Sequence, residues 1–540
     1  MRLSCPPESA AAADRPGSLA RVSLGVVGRD QRDVEPRELA LRLRASANPA
    51  IVALAGLTVL AAVLRFVGIG HQGFWFDEAN TALLVHFSPG RMIGLIPQTE
   101  STPPLYYCIA WVWARVFGYG EAGLRSLSAL AGVLTVPVAY GAAAKLISRR
   151  AGLIAAVLTA CNPLLIWYSQ EARSYGLLVL LTGVALLAFA CARDDPQPRL
   201  LVAWVIASAL SLATHYYAVV AIVPQAAWLL FEHRTKRPVR VAVGVVALCG
   251  LALIPLALSQ NATGHDSWIA NSPLHLRLAQ IIPQFLIGTG APARTLLKYL
   301  AMALALIALG LLAIRAQPNE RRPALLAGGL AVGGFILSLA FVAAGSDALI
   351  TRNIIPLLLP AAIALAGGLA VTRARLLGVL VSLALCALGV SAAVGVAVDR
   401  NLQRPDWRAV ARTLGTRPAS APGRAILIGH YRDLLPLSLY LPQLEFLPRR
   451  GAKVDELDVI AISSPQQPLC WWGAACNLIP SQMQTSYRVP GFHELWRQRV
   501  LQFTIMRLVS DRPLLLTRAA VASALTTTTL RRDDLLVQRR

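Results

Sequence analysis

Charge is scarce in this chain, and acid is scarcest. Only 15% of its 540 residues are charged, and Asp and Glu together number 28 against 51 Lys and Arg. A soluble globular protein carries roughly 25% charged residues, so an ordinary water-facing surface is excluded. Cysteine and histidine are sparse as well, eight of each. Cys108, Cys161, Cys191, Cys249 and Cys386 fall in apolar stretches, where a thiol is inert packing, and Cys5 lies in the polar start of the chain. Cys470 and Cys476 bracket Trp471-Trp472-Gly473, where a small disulfide loop and two unlinked thiols both remain open. No spacing matches a zinc motif. Residues 1–48 lack the short apolar core of a cleavable signal and read as a flexible, basic cytoplasmic tail. No internal repeat is visible.

What the chain has instead is apolar length. Hydrophobic residues make up 56% of it and mean hydropathy is +0.55. The excess lies in runs near the length of about 20 residues that spans hydrocarbon. The expected fold is therefore mainly α, a polytopic membrane protein. The net charge of +23 suggests nucleic acid at first sight. The basic residues instead cluster between apolar runs, as the positive-inside rule requires. No nucleic-acid partner is expected.

Spans are expected near residues 49–68, 124–146, 151–168, 175–192, 199–214, 217–231, 240–259, 294–314, 323–344, 353–371 and 375–397, about eleven helices in all. The segment from Pro103 to Gly118 is apolar but short and carries Arg115, so it reads as a surface or re-entrant helix. Counting it as a span would reverse the charge sign of every later loop. With it omitted, the Arg- and Lys-bearing loops lie inside and residues 70–121 form the first outer loop. The membrane domain then covers 49–398. A small extracytoplasmic α/β domain is expected over 399–517, with strands near Ala425–Gly429, Asp458–Ser463 and Gln502–Val509 and a helix over Asp406–Arg412. Residues 518–540 read as a disordered tail.

The outer loops collect the rare polar groups. Asp77 and Glu78 follow Gly73-Phe74-Trp75-Phe76 just beyond the first span. Glu171, Arg173 and Tyr175 precede the fourth span, His215-Tyr216-Tyr217 sits between the fifth and sixth, and Arg352 opens the tenth. Charge at that depth is costly unless paired or facing a wet cavity, so these loops point to one shared polar site. Group transfer from a lipid phosphate fits it. Asp77 or Glu78 would take the proton of an acceptor hydroxyl. Arg173 and Arg352 would hold phosphate with their planar forks. His215 and the tyrosines would orient the substrate by hydrogen bonds. Simpler roles also exist: helix capping for the two acids, a Glu171–Arg173 ion pair, a backbone-satisfied His215, and an Arg352 that reaches toward the interface.

The ordered series Trp75-Phe76-Asp77-Glu78-Ala79, Pro103-Pro104-Leu105-Tyr106-Tyr107, Phe117-Gly118, Arg125 and Tyr168-Ser169-Gln170-Glu171-Ala172-Arg173-Ser174-Tyr175 resembles the GT-C glycosyltransferases. The branch it resembles contains protein O-mannosyltransferases and bacterial lipid A aminoarabinose transferases. His215-Tyr216-Tyr217 and Arg352 extend the resemblance, which covers about residues 50–400. It implies a GT-C-type bundle, a polyprenyl-phosphate-linked sugar as donor, an inverting transfer and Asp77 as base. Glu78 matches the second acid of that motif. Some relatives need a divalent metal and others do not, so metal ligands and cofactor stay unknown. No β-trefoil-like repeat follows the membrane part, which leaves the acceptor open among lipid, glycan and protein. The bacterial inner membrane is the expected location. A transporter or flippase of lipid-linked sugars is the alternative, although no half-to-half similarity of the transporter kind is present.

Overall fold

The computed structural model describes residues 49–417, 422–429, 434–462, 487–525 and 534–538. The N-terminal tail and the Cys470/Cys476 pair lie outside the described residues. The described residues from Ala50 onward form one compact unit.

Among the described residues seven helices are long and apolar enough to cross a membrane: Pro49–Phe66, Glu121–Leu146, Tyr175–Ala192, Arg237–Asn261, Arg294–Ile314, Pro318–Ala343 and Thr372–Val398. A bent pair, Arg149–Cys161 with Pro163–Ser169, makes an eighth if taken as one span. Helices also stand at the three other expected places, Pro198–Thr214, Val219–His233 and Ile355–Leu369, but at 17, 15 and about 15 residues they are shorter. The protein is thus a multi-pass helical membrane protein, and the expected eleven spans are not established. Leu105–Phe117 is a separate 13-residue helix, too short to cross. Its Tyr106, Tyr107, Ala110 and Ala114 pack inward while Val112, Val116 and Phe117 stay exposed.

The bend of 57° in the helix pair has a local cause. Pro163 has no N–H and disfavours helical backbone at the residue before it. Asn162 is accordingly extended, and its side chain caps the next helix by accepting from the Leu165 N–H at 3.0 Å. The break orphans carbonyls, because Thr159 O would otherwise accept from position 163. Arg65, fully buried on the first helix, fills the gap by donating to Thr159 O at 3.1 Å and Ala160 O at 3.0 Å. Its Nε donates to Ser169 at 3.2 Å. Arg65 therefore pins the bend, and the bend directs residues 167–174 toward the first loop.

After Val398 the chain builds a six-stranded sheet: β1 Gly423–Leu427, β2 Leu444–Phe446, β3 Ala452–Ile462, β4 His493–Val500, β5 Phe503–Leu516 and β6 Leu535–Gln538, in the order β2-β6-β1-β3-β5-β4. Among the described strands only the β1–β3 pair is parallel. The helix Trp407–Leu414 lies where a helix was expected. It buries Trp407, Val410, Ala411 and Leu414 at helical spacing against one face of the sheet. Asp406 caps its start, accepting from Ala409 N–H at 2.9 Å, and Gly415 at φ +71° ends it. The three expected strands are present.

One expectation is corrected. The segment 518–540 is not simply a tail. Arg518–Ala522 is helical, and β6 is an inner strand paired to β1 and β2. Leu536 faces one core while Leu535 and Val537 face the other. A three-residue apolar run among charged and polar residues looks like tail in isolation, and only burial on both faces makes it a strand. We predict that Leu536→Ala destabilises the sheet by about 2–5 kcal/mol, seen as faster limited proteolysis between residues 423 and 538. A tail residue would leave the cleavage rate unchanged.

Candidate active site

Asp77 and Glu78 sit in the first turn of the helix Phe76–Leu84. Successive helical residues point roughly 100° apart, and the two acids meet different partners. Glu78 is fully buried. Arg125 grips it with two hydrogen bonds of 2.6 Å, Nε to Oε1 and Nη2 to Oε2, and the Ala172 N–H donates to Oε1 at 2.8 Å. Burial alone would raise its pKa, but Arg125, joined by Arg404 and the Ala172 N–H, holds the carboxyl below its usual range. Arg125 uses its remaining donors on the carbonyls of Ile69, Gln72 and Gly73, at 2.7–2.9 Å. All five of its N–H groups are engaged. Glu78, expected as a second reacting acid, has no face open to substrate.

Asp77 points instead to Arg352. Arg352 Nη1 donates to Asp77 Oδ2 at 2.8 Å, and both side chains keep 15% exposure. This is the one hydrogen bond of the Arg352 side chain among the described residues, and its buried Nε has no partner. The guanidinium lies 5.4 Å from the Trp268 ring centroid and 5.9 Å from that of Tyr175.

Arg173 departs from its expected part. It forms a buried fork with Glu100, Nη1 to Oε1 at 2.9 Å and Nη2 to Oε2 at 2.8 Å, and its Nη1 also reaches Asp77 O at 3.2 Å. Both ends of its fork are occupied by a carboxylate, and its buried Nε has no partner. The alternative Glu171–Arg173 ion pair does not form. The Arg173 N–H donates to Glu171 O at 2.8 Å, a tight turn that sends the side chains to different partners. Glu171 accepts from Arg404 Nη2 at 3.1 Å, and its buried Oε1 has no partner. Arg404 also donates to Trp167 O at 3.2 Å and stacks 4.0 Å over the Trp167 ring. Burial pushes the Glu171 carboxyl up to about 7, with the nearby Glu78 and Asp77 adding to the effect and Arg404 opposing it.

His215 lies 5.7 Å from Tyr175, ring to ring, and its Nδ1 accepts from the Tyr217 N–H at 3.1 Å. Burial, then Arg352 and Arg173, lower its pKa to about 3, so it is a neutral imidazole with its proton on Nε2. Tyr216 turns away, its hydroxyl donating to Gln260 Oε1 at 2.6 Å. Gln260 in turn donates to Thr102 O at 3.0 Å, so Tyr216 ties the outer loops together. The structure thus gathers Asp77, Arg173, Tyr175, His215 and Arg352, seals Glu78 behind them, and leaves Tyr216 at the margin.

Glu100, Arg404 and Trp268 escaped the sequence reading. Glu100 carried one signal, being an acid in a loop of a chain with few acids. Arg404 and Trp268 carried none, since each reaches the site only through folding. Among the described residues no group of three or more His, Cys, Asp or Glu is placed to hold a metal ion. Glu78, Glu100 and Glu171 are each taken by an arginine. The donor set does not fit a metal centre, and no step is assigned to one.

The fold is of the GT-C type. ArnT from Cupriavidus metallidurans bound to undecaprenyl phosphate has a TM-score of 0.53 at 14% identity, with 84% of this chain and 97% of that one covered. Its apo state gives 0.53 at 13%, covering 85% and 98%. The Archaeoglobus fulgidus oligosaccharyltransferase complex with Zn and sulfate gives 0.42 at 14%, covering 75% and 67%. Within that fold class, residues 101–259 match the family model described as dolichyl-phosphate-mannose-protein mannosyltransferase. No curated protein matches the chain.

Two predictions follow from the buried acids. Arg125→Ala strands Glu78 without a counter-charge and costs about 3–5 kcal/mol, read as a lower melting temperature in detergent. Glu171 binds a proton in the folded chain that the unfolded chain has already lost between about pH 4.5 and pH 7. Its stabilising contribution is complete below the lower value and disappears as pH rises through about 7. Glu171→Gln should flatten that part of the melting-temperature profile, whereas parallel profiles would show an ordinary carboxylate.

Proposed function

We propose that the chain is a membrane glycosyltransferase that moves a sugar from a polyprenyl-phosphate donor to an acceptor hydroxyl on the extracytoplasmic side. The observation that carries this reading is the Asp77–Arg352 pair. It joins a partly open carboxylate to a guanidinium with an unpartnered buried Nε. Arg352 has donors left for a phosphate while it still touches the acid. The ArnT structure with bound undecaprenyl phosphate, on the same fold, supports a lipid-linked donor.

In this reading the donor phosphate docks on the free edge of Arg352, which loosens its hold on Asp77. The Asp77 carboxylate then accepts the proton of the acceptor hydroxyl. The acceptor oxygen attacks the anomeric carbon, and the bond from that carbon to the phosphate oxygen breaks. The polyprenyl phosphate leaves with the electron pair, its charge stabilised by Arg352. One displacement inverts the anomeric centre. Neutral His215 supplies an Nε2–H donor, and Tyr175 and Trp268 flank the guanidinium. Arg173 acts at one remove, fixing Asp77 through its backbone carbonyl, and Glu78 anchors the helix.

The direct test is turnover of a polyprenyl-phosphate sugar by the purified protein. Asp77→Asn should lower kcat by about 10²–10⁴-fold. Arg352→Lys should fail to restore what Arg352→Ala loses, because a point charge does not reproduce the planar fork. Undiminished turnover in Asp77→Asn would remove it as base, and lipid flipping without bond cleavage would favour the transporter.

A further inference from the structure

The loop that leads to Asp77 is held from two sides. From Ile69 to Gly73 every backbone carbonyl accepts from an arginine. Ile69, Gln72 and Gly73 accept from Arg125 of the membrane part. Gly70 and His71 accept from Arg408, which belongs to the helix Trp407–Leu414 beyond the last span. Tyr440 closes the same side: its hydroxyl accepts from the Phe74 N–H at 2.7 Å and donates to Glu121 Oε1 at 2.7 Å. Glu121 Oε1 also accepts from Arg408 Nη1 at 3.3 Å. The Arg404 N–H donates to Gln72 Oε1 at 3.1 Å. Gly73 has no room to grow, since a Cβ there would stand 3.3 Å from Arg408, Asp406 and Tyr440 alike. Leu439 and Tyr440 pack on the cluster that contains Phe74, Ala82 and Leu84 of the Asp77 segment.

We propose that Tyr440 and Arg408 are positioning residues for Asp77, so that the α/β segment after the last span is a working part of the site. The inference rests on the reading of Asp77 as base. Two residues separate Phe74 from Asp77, and the clamp on Phe74 sets where the helix Phe76–Leu84 begins. Burial of the loop against Arg125 alone would leave Gly70, His71 and the Phe74 N–H unmet. An acid that must meet an acceptor proton at hydrogen-bond distance tolerates little displacement, since about 1 Å can cost about 10²-fold in rate.

The test combines hydrogen exchange and kinetics on the full chain in detergent, with Tyr440→Phe and Arg408→Gln. Tyr440→Phe keeps the ring and removes one hydroxyl. Exchange in peptides spanning residues 70–80 should accelerate about five- to tenfold, the size expected for one lost hydrogen bond, while peptides from β3 and β5 exchange as in wild type. With a polyprenyl-phosphate sugar, kcat should fall about tenfold and the donor KM should stay within about twofold. Unchanged exchange over 70–80, or equal acceleration in β3 and β5, would overturn the clamp. Faster loop exchange with an unchanged kcat would overturn the positioning role. A wild-type protein with no transfer activity would sink the reading of Asp77 as base, and the exchange result would still decide whether the clamp exists.

Discussion

The site depends on one buried guanidinium. Arg125 lies 1% exposed at the start of a long apolar helix and uses all five N–H groups. Two grip Glu78 and three hold the loop before it. Removing a charge of either sign would strand the other in a low-dielectric interior, where an unpaired ion is far costlier than a pair is stabilising. The arrangement therefore contributes geometry more than stability. It fixes Glu78 inward and so turns the neighbouring Asp77 outward, because adjacent helical residues cannot share a face.

The same economy of charge runs through the rest of the outer end. Nearly every acid near the site answers an arginine: Glu78 to Arg125, Glu100 to Arg173, Glu171 to Arg404, Asp77 to Arg352, and Asp347 to Arg277. The last pair, a fork with contacts of 2.6 and 2.7 Å, anchors the loop that presents Arg352, since Arg277 also donates to Leu349 O. Within this set Asp77–Arg352 stands apart. Its guanidinium makes a single hydrogen bond among the described residues, whereas Arg125 has all five N–H groups engaged and Arg173 has both ends of its fork on Glu100. Arg65 shows the contrasting use of a buried cation, satisfying carbonyls freed by the bend at Pro163.

Much of this was legible in the sequence because hydrocarbon and water sort residues strongly. Apolar length marked the helices, and the rarity of charge at their outer ends drew attention to Asp77, Glu78, Glu171 and Arg352. Partner choice was not legible. Glu171 and Arg173 are two residues apart and looked like a pair, yet the turn between them faces the side chains apart, and their partners come from positions 404 and 100. Span number was not legible either, because helices of 15 to 17 residues sit at the margin of membrane thickness. β6 was missed because four residues carry too little periodicity to stand out from a charged terminus.

The central claim is that Arg352 exchanges Asp77 for a donor phosphate. An experimental structure of the protein with a polyprenyl phosphate bound in lipid nanodiscs tests it most directly. The account predicts a phosphate oxygen within hydrogen-bond reach of Arg352 Nε, with the Asp77 carboxylate released toward open space. A phosphate bound elsewhere, with the Asp77–Arg352 contact still at 2.8 Å, would contradict it.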